Sequence, residues 1–263
     1  MKSFNLFTLL IYFIGSGIEF SFAQPVEPAM GKQGLKEFIE GQMIYPQQAI
    51  NADIKARVKL LCRIGSDGRL IETQTLEEYN NDLIRESKRL ARGIVWKPAQ
   101  EKNKAIDGEY VLEIEFNPKK YSKWVKRRGW DRPNPEWDTS MQIFSHGSLS
   151  QLAKPELPQG VSFSDFIRQN IQSPDAARRM GISGRVVLSF IVEPDGSSSN
   201  FIIKEYLGMG CTEEAIRVMK LLRWQAARKN EKMVRSWNTT MLWFGEGQPQ
   251  YNLQPGYNPG SML

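Results

Sequence analysis

The chain has 263 residues, 41% of them hydrophobic and 24% charged, with a formal net charge of +6. Residues 119–132 hold Lys119, Lys120, Lys123, Lys126, Arg127, Arg128 and Arg132 against Asp131 alone. The positive surplus is therefore local, which excludes a generally nucleic-acid-binding body, and one histidine with two cysteines excludes a His-rich metal centre or a disulfide-stapled scaffold.

The first 23 residues read as an export signal. Lys2 precedes an apolar run at 6–14 broken only by Thr8, and Ser21-Phe22-Ala23 offers a small-x-small cleavage site. The run is shorter than the ~20 apolar residues of a spanning helix. Cleavage after Ala23, a periplasmic mature chain and a linker at 24–31 are expected.

The same unit then occurs twice. Residues 38–116 fall on 166–244 at a constant shift of 128, without a gap. Each copy opens with an amphipathic helix (35–42, 163–170), then a Pro-started turn at Pro46 or Pro174. Val58, Leu60, Cys62 and Ile64 alternate as a half-buried strand, as do Val186, Leu188, Phe190 and Val192. Asp67-Gly68 and Asp195-Gly196 predict hairpin turns into second strands at 69–77 and 197–205. Helical spacing follows through Leu83, Leu90 and Ile94, and through Cys211, Val218 and Leu222, ending at Trp96 and Trp224. A closing strand spans 109–116 and 237–244. The expected fold is α+β: two tandem small domains at 32–117 and 161–246, each helix-strand-strand-helix-strand with a three-stranded antiparallel sheet. Glu77 and Glu205 read as strand-end features, Glu86 and Glu214 as helix-start features.

Tyr45-Pro46-Gln47-Gln48-Ala49, Asp67-Gly68 and Trp96-Lys97-Pro98-Ala99 of the first copy resemble the C-terminal domain of the TonB energy-transducer family. So do Pro174-Asp175-Ala176-Ala177, Gly181-Ile182-Ser183-Gly184-Arg185-Val186, Asp195-Gly196 and Trp224 of the second. The copies depart from the pattern in different places: Asp53 and Ala56 stand where the second has Gly181 and Gly184, and Ser173 and Ala226 where the first has Tyr45 and Pro98. The family's long arm is not implied, because the roughly 14 residues after Ala23 reach only ~50 Å when extended.

The resemblance implies a periplasmic, non-enzymatic interaction module without cofactors, assisting TonB-dependent transport. Its partner would be an envelope protein or outer-membrane transporter peptide that adds as a strand to an exposed edge. The candidate contacts are Val111, Glu113 and Glu115 on one closing strand and Trp237, Thr239, Met241 and Trp243 on the other. The alternatives are packing of these strands against the other unit, or a homodimer in which they pair with each other.

Residues 118–160 belong to neither copy. Lys123, Trp124, Lys126, Arg127, Arg128 and Trp130 interleave basic and aromatic side chains, which suits membrane lipid or cell wall. The competing reading has the tryptophans fill the cleft between the units. His146 reads as solvated. Cys62 and Cys211 read as buried small hydrophobes, with an inter-unit disulfide as the sharper alternative. The Gly-, Pro-, Asn- and Gln-rich tail at 247–263 reads as disordered.

Overall fold

The computed structural model describes residues 23–245 and 251–255. The expected export signal therefore lies, apart from Ala23, outside the described residues. Unit 1 runs β1 (Glu27–Pro28), α1 (Gly31–Gln42), α2 (Gln47–Asn51), β2 (Ala56–Ile64), β3 (Leu70–Thr75), α3 (Asn81–Arg92), β4 (Trp96–Lys97), β5 (Ala99–Glu101), β6 (Lys104–Ile106) and β7 (Gly108–Phe116). The connection holds α4 (Pro118–Arg128) and β8 (Ile143–Phe144). Unit 2 runs β9 (Lys154–Glu156), α5 (Phe163–Asn170), α6 (Asp175–Arg179), β10 (Gly184–Val192), β11 (Ser198–Glu205), α7 (Cys211–Met219), β12 (Arg223–Gln225), β13 (Ala227–Lys229), β14 (Lys232–Phe244) and β15 (Asn252–Pro255).

The fold is α+β, with an antiparallel sheet in each unit: β3-β2-β7 in the first and β11-β10-β14 in the second, where β14 also pairs β13, β8 and β15. Alternation sets the inner faces. Val58, Leu60, Cys62 and Ile64 are fully buried in one core, and Val186, Leu188, Phe190 and Val192 in the other. The repeated Asp-Gly and Trp are one device. Gly68 and Gly196 turn with φ of 76° and 77°, and a Cβ there would lie 2.9 Å from the Trp96 carbonyl and 2.4 Å from that of Trp224. Glycine alone allows both the positive φ and that approach.

Glu214 lies in the first turn of α7, as expected, whereas Glu86 sits mid-way along α3, which corrects the helix-start reading for that residue; both act as clamps on the preceding helix. Glu86 accepts from the Ile44 N–H at 2.7 Å and pairs with Arg89, which donates to the Gln42 carbonyl. Glu214 and Arg217 repeat this on Gln172 and Asn170, at the same shift of 128. Each clamp satisfies backbone groups where the first helix of the unit ends.

The repeat also begins earlier than its gap-free register. The presumed linker at 24–31 contains β1, which pairs β4 through Glu27↔Lys97 and Pro28↔Trp96, with Val26 buried. In unit 2, β9 pairs β12 through Pro155↔Trp224, with Ala153 buried. Gln24-Pro25-Val26-Glu27-Pro28 and Gln151-Leu152-Ala153-Lys154-Pro155 are thus equivalent at a shift of 127, one residue out of phase with the rest. The tail is corrected in part: residues 252–255 form a strand, because β14 offers them a backbone edge, while 247–250 and 256–263 lie outside the described residues.

The two units meet at a polar seam. Arg235 and Glu193 form an ion pair with side chains 1% and 0% exposed. Arg235 also donates to the Gly93 carbonyl of unit 1 and the Met141 carbonyl of the connection, both at 2.9 Å, and lies over the Phe38 ring. The Val95 N–H donates to the Asn200 side chain, Lys220 pairs with Glu37, and α1 lies against β11.

Candidate functional site

A sheet edge accepts a strand only through backbone groups that point outward, and these can be assigned for β7. The Leu76 N–H bonds to the Lys59 carbonyl, so Lys59 faces β3. Backbone direction alternates along a strand, so Val58, Leu60 and Cys62 face β7. Their partners Ile114, Leu112 and Tyr110 face back at β2. The N–H and C=O groups of Glu109, Val111, Glu113 and Glu115 therefore point away from the sheet. No other described strand pairs with them. Val111 is 51% exposed. Glu113 pairs with Arg57 and Glu115 with Lys120, leaving a charged rim along an open edge.

In unit 2 the same alternation turns Trp237, Thr239, Met241 and Trp243 outward, yet that edge is filled. Met233 exchanges bonds with Glu136 and Asp138, and Ser236 meets Phe144 of β8. Beyond it, Asn238, Thr239, Thr240 and Met241 meet Pro255, Gln254, Leu253 and Asn252. The expectation of a free edge at 237–244 is thus corrected: the chain's own connection and tail occupy it from 233 to 241. Trp237 and Thr239 are only 9% and 8% exposed, and Met241 and Trp243 are half-buried. The sequence signal for this was the number of tryptophans and unpaired polar residues on one strand, which fits a strand buried on both faces better than an open rim.

The units also differ after their closing strands. In unit 1 the chain continues as α4, capped by Asn117 with Pro118 in its first turn, and stopped at Gly129 with φ of 84°. Tyr121, Trp124 and Val125 pack it onto the unit 1 core. In unit 2, Tyr251 and Leu253 pack against the core beside α5.

The basic-aromatic segment turns its aromatic half inward. Arg128 lies 3.6 Å from the Trp130 ring and donates to the Gly41 carbonyl. Trp130 donates to Asp195 at 3.0 Å and meets Trp137 edge-on. Trp124 is half-buried on unit 1 and Arg127 pairs with Glu40. Lys123 and Lys126 remain exposed. A lipid- or wall-facing surface built from all six residues is therefore corrected, because Trp130 and Arg128 serve the cleft between the units. Cys62 and Cys211 are free thiols, each buried in its own core, which corrects the disulfide alternative. Burial pushes the Cys62 thiol up to about 12. His146 sits exposed in a short 3₁₀ turn.

The site thus belongs to a class: small α+β units whose closing strand either takes an added strand or leaves its edge open to one. The family model for the Gram-negative bacterial TonB protein C-terminal matches residues 41–118 and again 169–244. The chain belongs to this family and carries its domain twice. TonB C-terminal domains are protein-interaction modules of the cell envelope that contact outer-membrane transporters and envelope proteins. No curated protein matches the chain. Among the described residues, no helix is long and apolar enough to cross a membrane.

Proposed function

We propose that this protein is a periplasmic, non-enzymatic interaction module that assists TonB-dependent outer-membrane transport by taking an extended peptide onto the outer edge of β7. One observation carries the reading. The equivalent edge of unit 2 already holds an added strand over 238–241, and the matching residues 110–113 of unit 1 present the same backbone pattern without one. Backbone bonds would supply the affinity, and side chains opposite the rim the preference. Glu109, Glu113 and Glu115 favour a peptide with Lys or Arg at alternate positions.

The same rim disfavours a homodimer joined through two copies of β7. Antiparallel self-pairing centred on Val111 sets Glu109 against Glu113, and centring on Leu112 sets Glu109 against Glu115.

Val111→Pro tests the reading, since it removes one outward N–H while the bonds to β2 stay. Peptides from the periplasmic ends of outer-membrane transporters are titrated against both proteins. Binding by the parent and a loss of about tenfold or more in the folded variant is expected. Equal binding by the two sinks the β7 edge as the site.

A further inference from the structure

We propose that β15 is a displaceable plug in a second peptide site, the β14 edge beside α5. This inference rests on the strand-addition reading but concerns a different edge, with a ligand preference that can be read from its walls. The plug is held lightly. It meets β14 at four positions, against nine for β10. By the alternation above, only Thr239↔Gln254 and Met241↔Asn252 turn their backbones toward each other. Two side-chain contacts help: Thr240 donates to the Asn252 carbonyl at 3.0 Å, and Ser164 to that of Tyr251 at 3.5 Å. Tyr251 and Leu253 are only half-buried where they touch the unit 2 core.

The tail also leaves one group unsatisfied. The Asn238 side chain is 0% exposed, and its carbonyl oxygen has no hydrogen-bond partner among the described residues. The residue across from it is Pro255, which has no donor to offer. A buried acceptor without a donor is costly, so a better occupant would supply one. The ligand class follows: an extended peptide running antiparallel to β14, with an apolar side chain opposite Thr240 and an Asn, Gln, Ser, Thr or Lys opposite Asn238. The chain's own tail meets the first condition and fails the second, as suits an occupant meant to be replaced.

The test uses a fluorescent peptide with the sequence of residues 250–256, and the same peptide carrying P255Q. Both are titrated against three proteins, all with Val111→Pro so that the unit 1 edge plays no part: the full chain, a chain ending at Gly245, and the full chain with Leu253→Asp. A plug closed nine-tenths of the time lowers apparent affinity about tenfold. The shortened and Leu253→Asp proteins are therefore expected to bind at least about tenfold more tightly than the full chain, and the P255Q peptide more tightly than the parent peptide. The Leu253→Asp protein keeps the test intact if the shortened chain does not fold. Equal affinity of the folded Leu253→Asp protein and the full chain overturns the plug, and equal affinity of the two peptides overturns the role of Asn238. Failure of Val111→Pro to affect transporter peptides would instead count against the β7 site alone.

Discussion

Arg235→Ala is expected to open the seam between the units before either unit unfolds. The truncation leaves the Glu193 carboxylate, 0% exposed, without the guanidinium that donates to it at 2.8 and 2.9 Å. It also strips donors from the Gly93 and Met141 carbonyls and removes the cation from the Phe38 ring. Removing one partner of a buried, fully hydrogen-bonded pair costs about 3–5 kcal/mol. Replacing both with apolar side chains, Arg235→Met with Glu193→Leu, should recover most of that, because no charge is then left buried alone. Urea titration followed by tryptophan fluorescence reads the effect, since Trp130 and Trp137 sit in the cleft beside this pair. The single variant should shift that signal to lower urea, ahead of the far-ultraviolet circular dichroism of the two sheets. An Arg235→Ala protein with the parent's transition in both signals would refute the seam as a source of stability.

Glu86→Ala should cost about 2–3 kcal/mol, because it strands the Ile44 N–H and removes the carboxylate from Arg89, whose side chain is only 15% exposed; Glu214→Ala should cost less, as Arg217 is 46% exposed, and thermal melts compare the two. Gly196→Ala should destabilise more than Gly68→Ala, since its Cβ meets the Trp carbonyl at 2.4 Å rather than 2.9 Å; both should exceed about 1 kcal/mol in denaturant titrations. Both thiols should stay unreactive toward a disulfide reagent at pH 8 until denaturant is added. Burial raises the Cys62 thiol, so its stabilising contribution is complete below the unfolded value near ~8.5 and fades as pH climbs from there toward about 12. Measured stability of Cys62→Ala should accordingly fall less steeply over that range than the parent's.

The features that could be read in the sequence were those fixed by local geometry. Asp-Gly, the starting Pro and the terminal Trp each act within a few residues or against one repeated neighbour, so they recur at a constant shift. Gln24 to Pro28 escaped because a single residue breaks the phase with Gln151 to Pro155, although the two segments do the same work. Residues 252–255 escaped for another reason. Their order comes from a distant strand with vacant backbone groups, and nothing in Asn-Leu-Gln-Pro announces one. Glu86 and Glu214 recurred visibly, but their role depends on where the preceding helix ends in space. The candidate site was half legible: the two closing strands were the right elements, while their opposite states depend on the next element of the chain, a helix from 118 in unit 1 and a returning strand from 252 in unit 2.

The seam joins unlike surfaces: α1 and the turn at Gly93 on one side, β11 and the Glu193–Arg235 end of a sheet on the other. Contacts of that kind do not use up the matching surface at either end, and when repeated they build closed rings or open filaments. Here both outer ends are spoiled. Unit 1 carries Arg63, Asp107 and Glu109 where unit 2 carries Ile191, Arg235 and Trp237. Unit 2 carries Leu221, 50% exposed, where unit 1 has Gly93, at which an added Cβ would lie 2.6 Å from Phe38 of its own unit and 3.2 Å from the Arg235 guanidinium across the seam. The two copies thus differ at the positions that make the seam, so neither outer end repeats the surface that the other unit meets.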